Sequence, residues 1–216
     1  MSRAPCRPSR RGHLAAAMAG PLLLLAACSG GFKSNLPLAQ VYVLRPTAAA
    51  SMAVAATPGL GTVQVMLPQA AAGLATDSIV VLQPGERLDF YSAVHWAAPA
   101  PGMLQLLAID ALRATHRFAM IESDAGPFPS DYVLSLELRH FEAEYAGSGP
   151  PTVHVALVCT LGRRGTREVI SSFTAESQVR AEADRMQSVV AAFEQATGDA
   201  LAQMAERLSP APAALP

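Results

Sequence analysis

Alternation of apolar and polar residues predicts most of the strands in this 216-residue chain. From Tyr132 the apolar residues occupy alternate positions as far as Leu138, and the alternation resumes on the opposite parity at Phe141. A one-residue slip in phase within a strand is what a β-bulge produces. The pattern therefore predicts one long strand with a bulge near Arg139-His140.

The same reasoning predicts seven further strands. They are Gln40–Leu44, Thr62–Leu67, Ser78–Gln83, Glu86–Ala93, Phe118–Glu122, Val153–Leu161 and Glu168–Ser177. Pro84-Gly85 joins two of them, because glycine takes a positive φ cheaply at the third position of a type II turn. The long strand and the last two are expected to form an antiparallel meander. Residues 46–61 lack periodicity and are predicted to form a long surface loop.

Apolar residues spaced three and four apart predict two helices. The first runs from Pro101 to His116, with the proline acceptable at the first helical position. The second runs from Asp184 to Leu208 with one apolar face, and Gly198 interrupts it at a cost of about 1 kcal/mol relative to alanine. An antiparallel sheet with two helices packed on it is an α+β fold, a two-layer sandwich, here predicted for residues 40–208.

The pattern at the amino terminus predicts a lipoprotein signal peptide over residues 1–27. Four arginines precede an apolar run from Leu14 to Ala27, which ends in Leu25-Ala26-Ala27-Cys28. A cysteine after small residues is typical of a bacterial lipobox, in which the thiol is acylated and the chain is cut between Ala27 and Cys28. An ordinary secretory signal or an uncleaved membrane helix are the alternatives, although a spanning helix needs about 20 apolar residues. Residues 28–39 are then a flexible tether, and residues 209–216 a disordered tail.

Charge and cysteine content narrow the function classes. After cleavage, 12 basic and 17 acidic residues remain, a net charge of −5, so nothing favours binding to nucleic acid. We expect the membrane to be contacted through the lipid anchor alone. Cys6 leaves with the signal and Cys28 is acylated, so Cys159 has no disulfide partner and is predicted to be a small buried hydrophobe.

No catalytic constellation emerges from the sequence. There is no Gly-x-Ser-x-Gly, no phosphate-binding loop and no histidine pair at metal-ligand spacing, so we expect no enzyme activity, no cofactor and no metal. His140 and His154 fall on adjacent predicted strands and could approach each other, but without a carboxylate at defined spacing. Glu142 and Glu144 are interpreted as solubilising charges at a strand edge.

The segment His95-Trp96-Ala97-Ala98-Pro99 is the candidate interface. Trp96 is the only tryptophan of the chain. Tryptophan is highly buried on average, and it is also enriched at protein interfaces. The residue is therefore predicted either to be part of the core or to anchor a partner, and His95 and Pro99 are the other candidate interface residues.

The order and spacing of these pieces resemble a known family. The pieces are Cys28, the Tyr42 strand, Val65-Met66-Leu67-Pro68, Ile79-Val80-Val81, Trp96-Ala97-x-Pro99, the leucine-rich helix, Phe141-Glu142 and the amphipathic last helix. Together they resemble the ABC-type transport auxiliary lipoproteins, which include paraquat-inducible protein C-like lipoproteins. The chain departs from that family's usual Arg-Trp-Ala-Glu-Pro, so a contact made by that arginine and glutamate is missing or altered here.

The resemblance implies a non-enzymatic part of a lipid-trafficking system. Its partners would be an MCE-domain protein and ABC transporter components, with homo-oligomers in some members. Ser29, where an aspartate would favour retention at the inner membrane, favours the periplasmic face of the outer membrane by analogy with lipoprotein sorting. An outer-membrane assembly or scaffold lipoprotein, binding a β-barrel or cell-wall protein by strand addition, is the alternative. A hydrolase is the weakest hypothesis.

Overall fold

A computed structural model describes residues 38–46 and 60–208. Its strands are β1 (Gln40–Tyr42), β2 (Leu60–Val65), β3 (Gln69–Ala70), β4 (Ser78–Gln83), β5 (Arg87–Trp96), β6 (Phe118–Ser123), β7 (Tyr132–Glu144), β8 (Thr152–Arg163) and β9 (Val169–Arg180). Its helices are α1 (Ala100–Ala114) and α2 (Met186–Arg207). The predicted signal peptide, the predicted tail and most of the predicted 46–61 loop lie outside the described residues.

Strand β7 is the central strand of the sheet, with pairing partners on both sides. On one side it pairs antiparallel with β8, which pairs antiparallel with β9, as the predicted meander requires. On the other side three strands run parallel to it in succession: β2 beside Tyr132–Leu134, β3 beside Glu137–Leu138, and β4 beside Glu142–Glu144. The sheet then continues from β2 to β6 and from β4 through β5 to β1.

The predicted bulge is confirmed in β7. Leu138 pairs with Leu157 and His140 pairs with Ala156, so Arg139 is the extra residue. Before it the even-numbered leucines are buried, and after it Phe141 is buried instead. The bulge therefore keeps apolar side chains on one face along the whole strand, and it directs the polar residues that follow to the other face.

Both helices pack against the apolar face of this sheet and contact each other. Helix α1 buries Leu104, Ala108 and Leu112 there, and α2 buries Phe193 and Met204 among others. Fully burying one such leucine or phenylalanine side chain stabilises the fold by about 1.5–3 kcal/mol. We call the opposite face of β7, β8 and β9 the open face, because the helices do not pack on it.

The α+β fold is confirmed, and three local predictions need correction. The sheet is mixed, since several of its pairings are parallel. Strand β3 was not expected, because two residues carry no periodic signal. Strand β5 continues past Ala93 to Trp96, since Ala93 adopts a positive φ of 56° and the pairing with β4 shifts register between Ser78 and Val80.

Neither α1 nor α2 combines the length and the apolar character of a transmembrane helix, and this finding covers the described residues only.

Candidate functional site

The predicted anchor residues Ala27 and Cys28 lie outside the described residues. Cleavage between them and lipidation of Cys28 therefore stay predictions from the sequence.

Trp96 ends strand β5 and lies inside the core. Its backbone N–H donates to the carbonyl of Asp77 at 2.6 Å, which fixes the end of the strand. The side chain is 2% exposed, and its ring packs against Phe141 and Phe193 at centroid distances of 5.9 and 5.2 Å. Of the two sequence interpretations, the structure places the indole in the core.

His95 and Pro99 form the surface of the candidate interface segment. The His95 side chain is partly exposed, and its Nδ1 lies 3.8 Å from Asp77 Oδ1. Pro99 is exposed at the residue preceding α1. The segment therefore presents one imidazole and one proline ring to solvent, and their role as an interface stays a prediction.

Cys159 is completely buried on the apolar face of β8, as predicted. Burial raises the pKa of its thiol to about 12, and the positive charge of Arg207 offsets part of that rise. A nucleophilic cysteine needs a thiolate and access. Cys159 has neither at neutral pH, so its contribution is to packing.

A cluster of two histidines and three glutamates lies on the open face of the sheet. Its members come from three adjacent strands: His140, Glu142 and Glu144 from β7, His154 from β8, and Glu176 from β9. We call these five residues the His–Glu cluster. They share one face because of the β7 bulge, and the antiparallel register sets Glu142 directly opposite His154.

The two imidazole rings of the His–Glu cluster stack, with centroids 4.0 Å apart and planes inclined by 11°. His140 Nδ1 lies 2.6 Å from Glu142 Oε1. His154 contacts two carboxylates, with its Nδ1 3.0 Å from Glu144 Oε1 and its Nε2 2.8 Å from Glu176 Oε1. Each ring therefore stacks on the other through its face and contacts at least one carboxylate through a ring nitrogen.

Glu142 corrects the expectation of solvated edge charges. It lies on the central strand of the sheet and is 4% exposed, and its Oε2 accepts the backbone N–H of Phe141 at 2.6 Å. Burial of a carboxylate is costly unless it is paired and hydrogen-bonded. The expected approach of His140 and His154 is confirmed, because β7 and β8 are neighbouring strands, and the structure adds carboxylates that contact both rings.

A pair of hydrogen-bonded tyrosines ties the end of β7 to the segment before α2. The Tyr145 hydroxyl donates a hydrogen bond to Asp184 Oδ1 at 2.6 Å. The hydroxyl oxygens of Tyr145 and Tyr91 lie 2.9 Å apart. Burial and the hydrogen bond to Asp184 raise the pKa of Tyr145, and burial raises the pKa of Tyr91. Both hydroxyls are therefore protonated at neutral pH.

Comparison with known families gives one match that spans nearly all of the described fold. The model of the ABC-type transport auxiliary lipoprotein component family matches residues 42–205. No curated protein sequence matches the chain.

Two solved structures share the fold over most of their length. The crystal structure of protein XCC0632 from Xanthomonas campestris, described as a DUF330 family member, is 26% identical with a TM-score of 0.67, and the match covers 79% of this chain and 95% of that one. A second crystal structure, of an uncharacterised protein, is 16% identical with a TM-score of 0.63 and coverages of 80% and 100%. This second likeness concerns the fold alone.

Proposed function

The chain belongs to the family of ABC-type transport auxiliary lipoprotein components, and we propose that it serves an MCE/ABC-type lipid transport system as a non-enzymatic, membrane-anchored periplasmic lipoprotein. The observation that carries this proposal is the family match over residues 42–205, which covers almost the whole predicted domain of residues 40–208. The transported molecule would be a phospholipid or an organic solvent.

The anchor is the lipidated Cys28, released at the amino terminus by cleavage after Ala27. Each buried acyl methylene contributes about 0.8 kcal/mol to membrane binding, and one chain alone holds only marginally. The two or three chains of a lipidated cysteine therefore anchor the domain firmly. With Ser29 next in sequence, we place the anchor in the outer membrane, facing the periplasm, and not in the inner membrane.

A binding role agrees with the chemistry of the described residues. Cys159 is buried and protonated, so it offers no nucleophile. Both ring nitrogens of His154 already face carboxylates, so neither is directed at a serine or threonine hydroxyl. These contacts support a protein that works by binding and position, as an auxiliary component of a transporter does.

His95 and Pro99 are the proposed contact with the MCE-domain protein or the ABC components. Both lie at the surface, next to the buried Trp96 that fixes the segment to the core. A partner would therefore meet a preformed surface and would spend little free energy on ordering it.

The alternative, an outer-membrane assembly or scaffold lipoprotein, is favoured by one observation. Within the described part of the chain, β9 pairs with β8 only; Gln203 and Arg207 of α2 bond the backbone of Glu176 and Thr174 on the other edge, and the rest of that edge has no strand partner. A free edge can accept an added strand from a β-barrel, a cell-wall protein or a second copy of this chain. The same edge would serve the homo-oligomer that the resemblance implies.

Affinity purification from native membranes tests the proposal. The full-length protein carries a carboxy-terminal tag, is extracted in mild detergent, and its partners are identified by mass spectrometry. We expect an MCE-domain protein together with an ABC ATPase or permease, and we expect Cys28→Ser to lose them. Recovery of a β-barrel or a cell-wall protein in their place would support the alternative and contradict the proposal.

A matched pair of variants tests the contact surface. His95→Ala removes the exposed imidazole and is expected to lower partner recovery while leaving thermal stability nearly unchanged. His116→Asn removes another exposed histidine, at a position whose positive φ of 54° asparagine tolerates, and is expected to leave recovery unchanged. Equal recovery with both variants would remove His95 from the interface.

A further inference from the structure

We propose that the open face of the sheet holds a divalent transition-metal site built by His140, Glu142, Glu144 and His154. One ligand atom from each of these residues lies within 4.8 Å of the corresponding atom of every other. The proposal is independent of the transport function, since it rests only on side chains of β7, β8 and β9.

The chemistry of the donor set selects the class of metal. Two imidazoles and two carboxylates suit Zn²⁺ and related first-row divalent ions, whereas Ca²⁺ and Mg²⁺ prefer oxygen ligands alone. No thiolate takes part, because Cys159 lies on the apolar face of the same sheet. Zn²⁺ is therefore the appropriate probe.

Binding requires ligand atoms that are up to 4.8 Å apart to move inward, and the stacked rings to tilt, because an imidazole nitrogen binds a metal in the plane of its ring. Zinc bonds of about 2.0–2.2 Å place tetrahedral ligand atoms about 3.3 Å apart. Glu142 Oε1 and His140 Nδ1 are 2.6 Å apart, and Glu144 Oε1 and His154 Nδ1 are 3.0 Å apart, so an ion must move each pair slightly outward. The side chains of His140 and Glu144 are 44% and 33% exposed, so they are free to adjust around the more deeply buried pair.

Each of the two ring nitrogens of His154 faces a different carboxylate. A neutral imidazole carries one N–H, but both ring nitrogens of His154 face carboxylate oxygens. If Nε2 donates to Glu176, the lone pair of Nδ1 points at an oxygen of Glu144, and two acceptors face each other at 3.0 Å. A metal ion between them replaces that repulsion with two bonds.

Glu176 has the position of an outer-shell carboxylate. Metal-binding histidines usually donate their second ring N–H to a carboxylate, which fixes the tautomer and the ring orientation. The contact of 2.8 Å from Glu176 Oε1 to His154 Nε2 provides this partner from a third strand. It leaves Nδ1 of His154 as the ligand atom, next to Glu144.

The charge of the cluster also favours a divalent ion. Three carboxylates surround two histidines, and among the described residues the ion pairs of Glu142, Glu144 and Glu176 involve these histidines alone. The nearest arginine on β7, Arg139, pairs with Glu137 instead. A charge of +2 would offset most of the negative charge of the three carboxylates.

The backbone holds the ligands in place before any ion binds. Glu142 is fixed by the N–H of Phe141 and lies opposite His154 in the β7–β8 register. Ala156 lies between His140 and Glu176 in the adjacent row of the sheet. Its small side chain leaves room above it for the two stacked rings.

Calorimetry with Zn²⁺ tests the proposal on the full-length protein, purified in detergent without a histidine tag and stripped with a chelator. We expect one Zn²⁺ per chain, an increase in Tm on binding, and a visible absorption spectrum when Co²⁺ replaces Zn²⁺. His154→Gln should lower the affinity at least tenfold, and the exposed control His116→Asn should not change it. Glu144→Gln removes a half-exposed ligand and should also lower the affinity, even if His154→Gln fails to fold.

Two results would overturn the metal site. One is the absence of saturable Zn²⁺ binding by the wild-type protein. The other is equal affinity in wild type, His116→Asn and Glu144→Gln, which would mean that the ion binds elsewhere. Neither result bears on the recovery of transport partners, so the metal site and the transport function fail separately.

Discussion

The indole of Trp96 meets the ring of Phe193 edge-on, with ring centroids 5.2 Å apart and planes inclined by 80°. This contact joins the end of β5 to α2, although the two residues are 97 positions apart in sequence. Aromatic pairs in such geometry contribute about 0.5–1.5 kcal/mol beyond the area they bury. The contact between Trp96 and Phe193 fixes the segment that carries His95 and Pro99 to the core.

Trp96→Ala should therefore destabilise the domain strongly. Removing a buried tryptophan leaves a cavity and typically costs about 3–5 kcal/mol. Trp96→Phe should cost less, because it keeps an aromatic ring and removes an indole N–H that has no hydrogen-bond partner among the described residues. Urea unfolding measures both, and a loss below about 1 kcal/mol for Trp96→Ala would place the indole outside the core.

The same substitution at a buried and at an exposed leucine tests which positions belong to the core. Leu136→Asp places a charge at a completely buried position of β7, where no partner can compensate it, so we expect no folded protein. Leu106→Asp makes the same change on α1 at a side chain that is 62% exposed, and should leave the fold intact. The folding of the two variants is compared by circular dichroism and expression yield. A folded Leu136→Asp protein would contradict the assigned register of β7.

The number of reactive thiols reports on both Cys28 and Cys159. The proposed cleavage removes Cys6 and the proposed lipid blocks the thiol of Cys28, so one free thiol is expected to remain. We expect no reaction with a thiol reagent at pH 8 in the folded state, because Cys159 is buried and burial raises its pKa to about 12. One thiol should react after unfolding in urea, and two would show that Cys28 is unmodified.

Stability should fall at alkaline pH, partly because of Cys159. Its pKa is raised from 9.0 to about 12 in the folded protein, so the unfolded chain loses this proton first. The contribution of the protonated thiol to the free energy of unfolding is complete below pH 9. It is lost as the pH rises toward 12, at up to about 1.4 kcal/mol per pH unit. Cys159→Ala should show a shallower decline, measured by urea unfolding between pH 8 and 11. The pKa values of Tyr91 and Tyr145 are also raised, so the Cys159→Ala variant should still lose some stability as the pH rises. Equal slopes for variant and wild type would contradict the assignment.

The sequence predicts features that depend on local pattern. The bulge at Arg139 is visible because the apolar phase slips between Leu138 and Phe141, and the amphipathic face of α2 is visible because it repeats over six turns. The bulge also implies that Glu142 leaves the apolar face. These features need no knowledge of which strands are neighbours.

The remaining features depend on pairings between distant segments. Nothing in the sequence sets β3 beside Glu137, and an alanine gives no sign of the positive φ at Ala93 that lets β5 continue. The His–Glu cluster needs the register that sets Glu142 opposite His154, and a shift of one residue would have turned His154 to the other face. The sequence therefore predicts that His140 and His154 can approach each other, but their spacing gives no sign of the carboxylates that contact them.

The lipid at Cys28 is proposed to hold the binding domain beside a membrane transporter. Intact-mass analysis of the protein from membranes of its native host tests this directly. We predict a chain that begins at Cys28, with added mass equal to a diacylglyceryl group, alone or with one further acyl chain. A chain that begins upstream of Cys28, or one that carries an unmodified Cys28, would contradict the account.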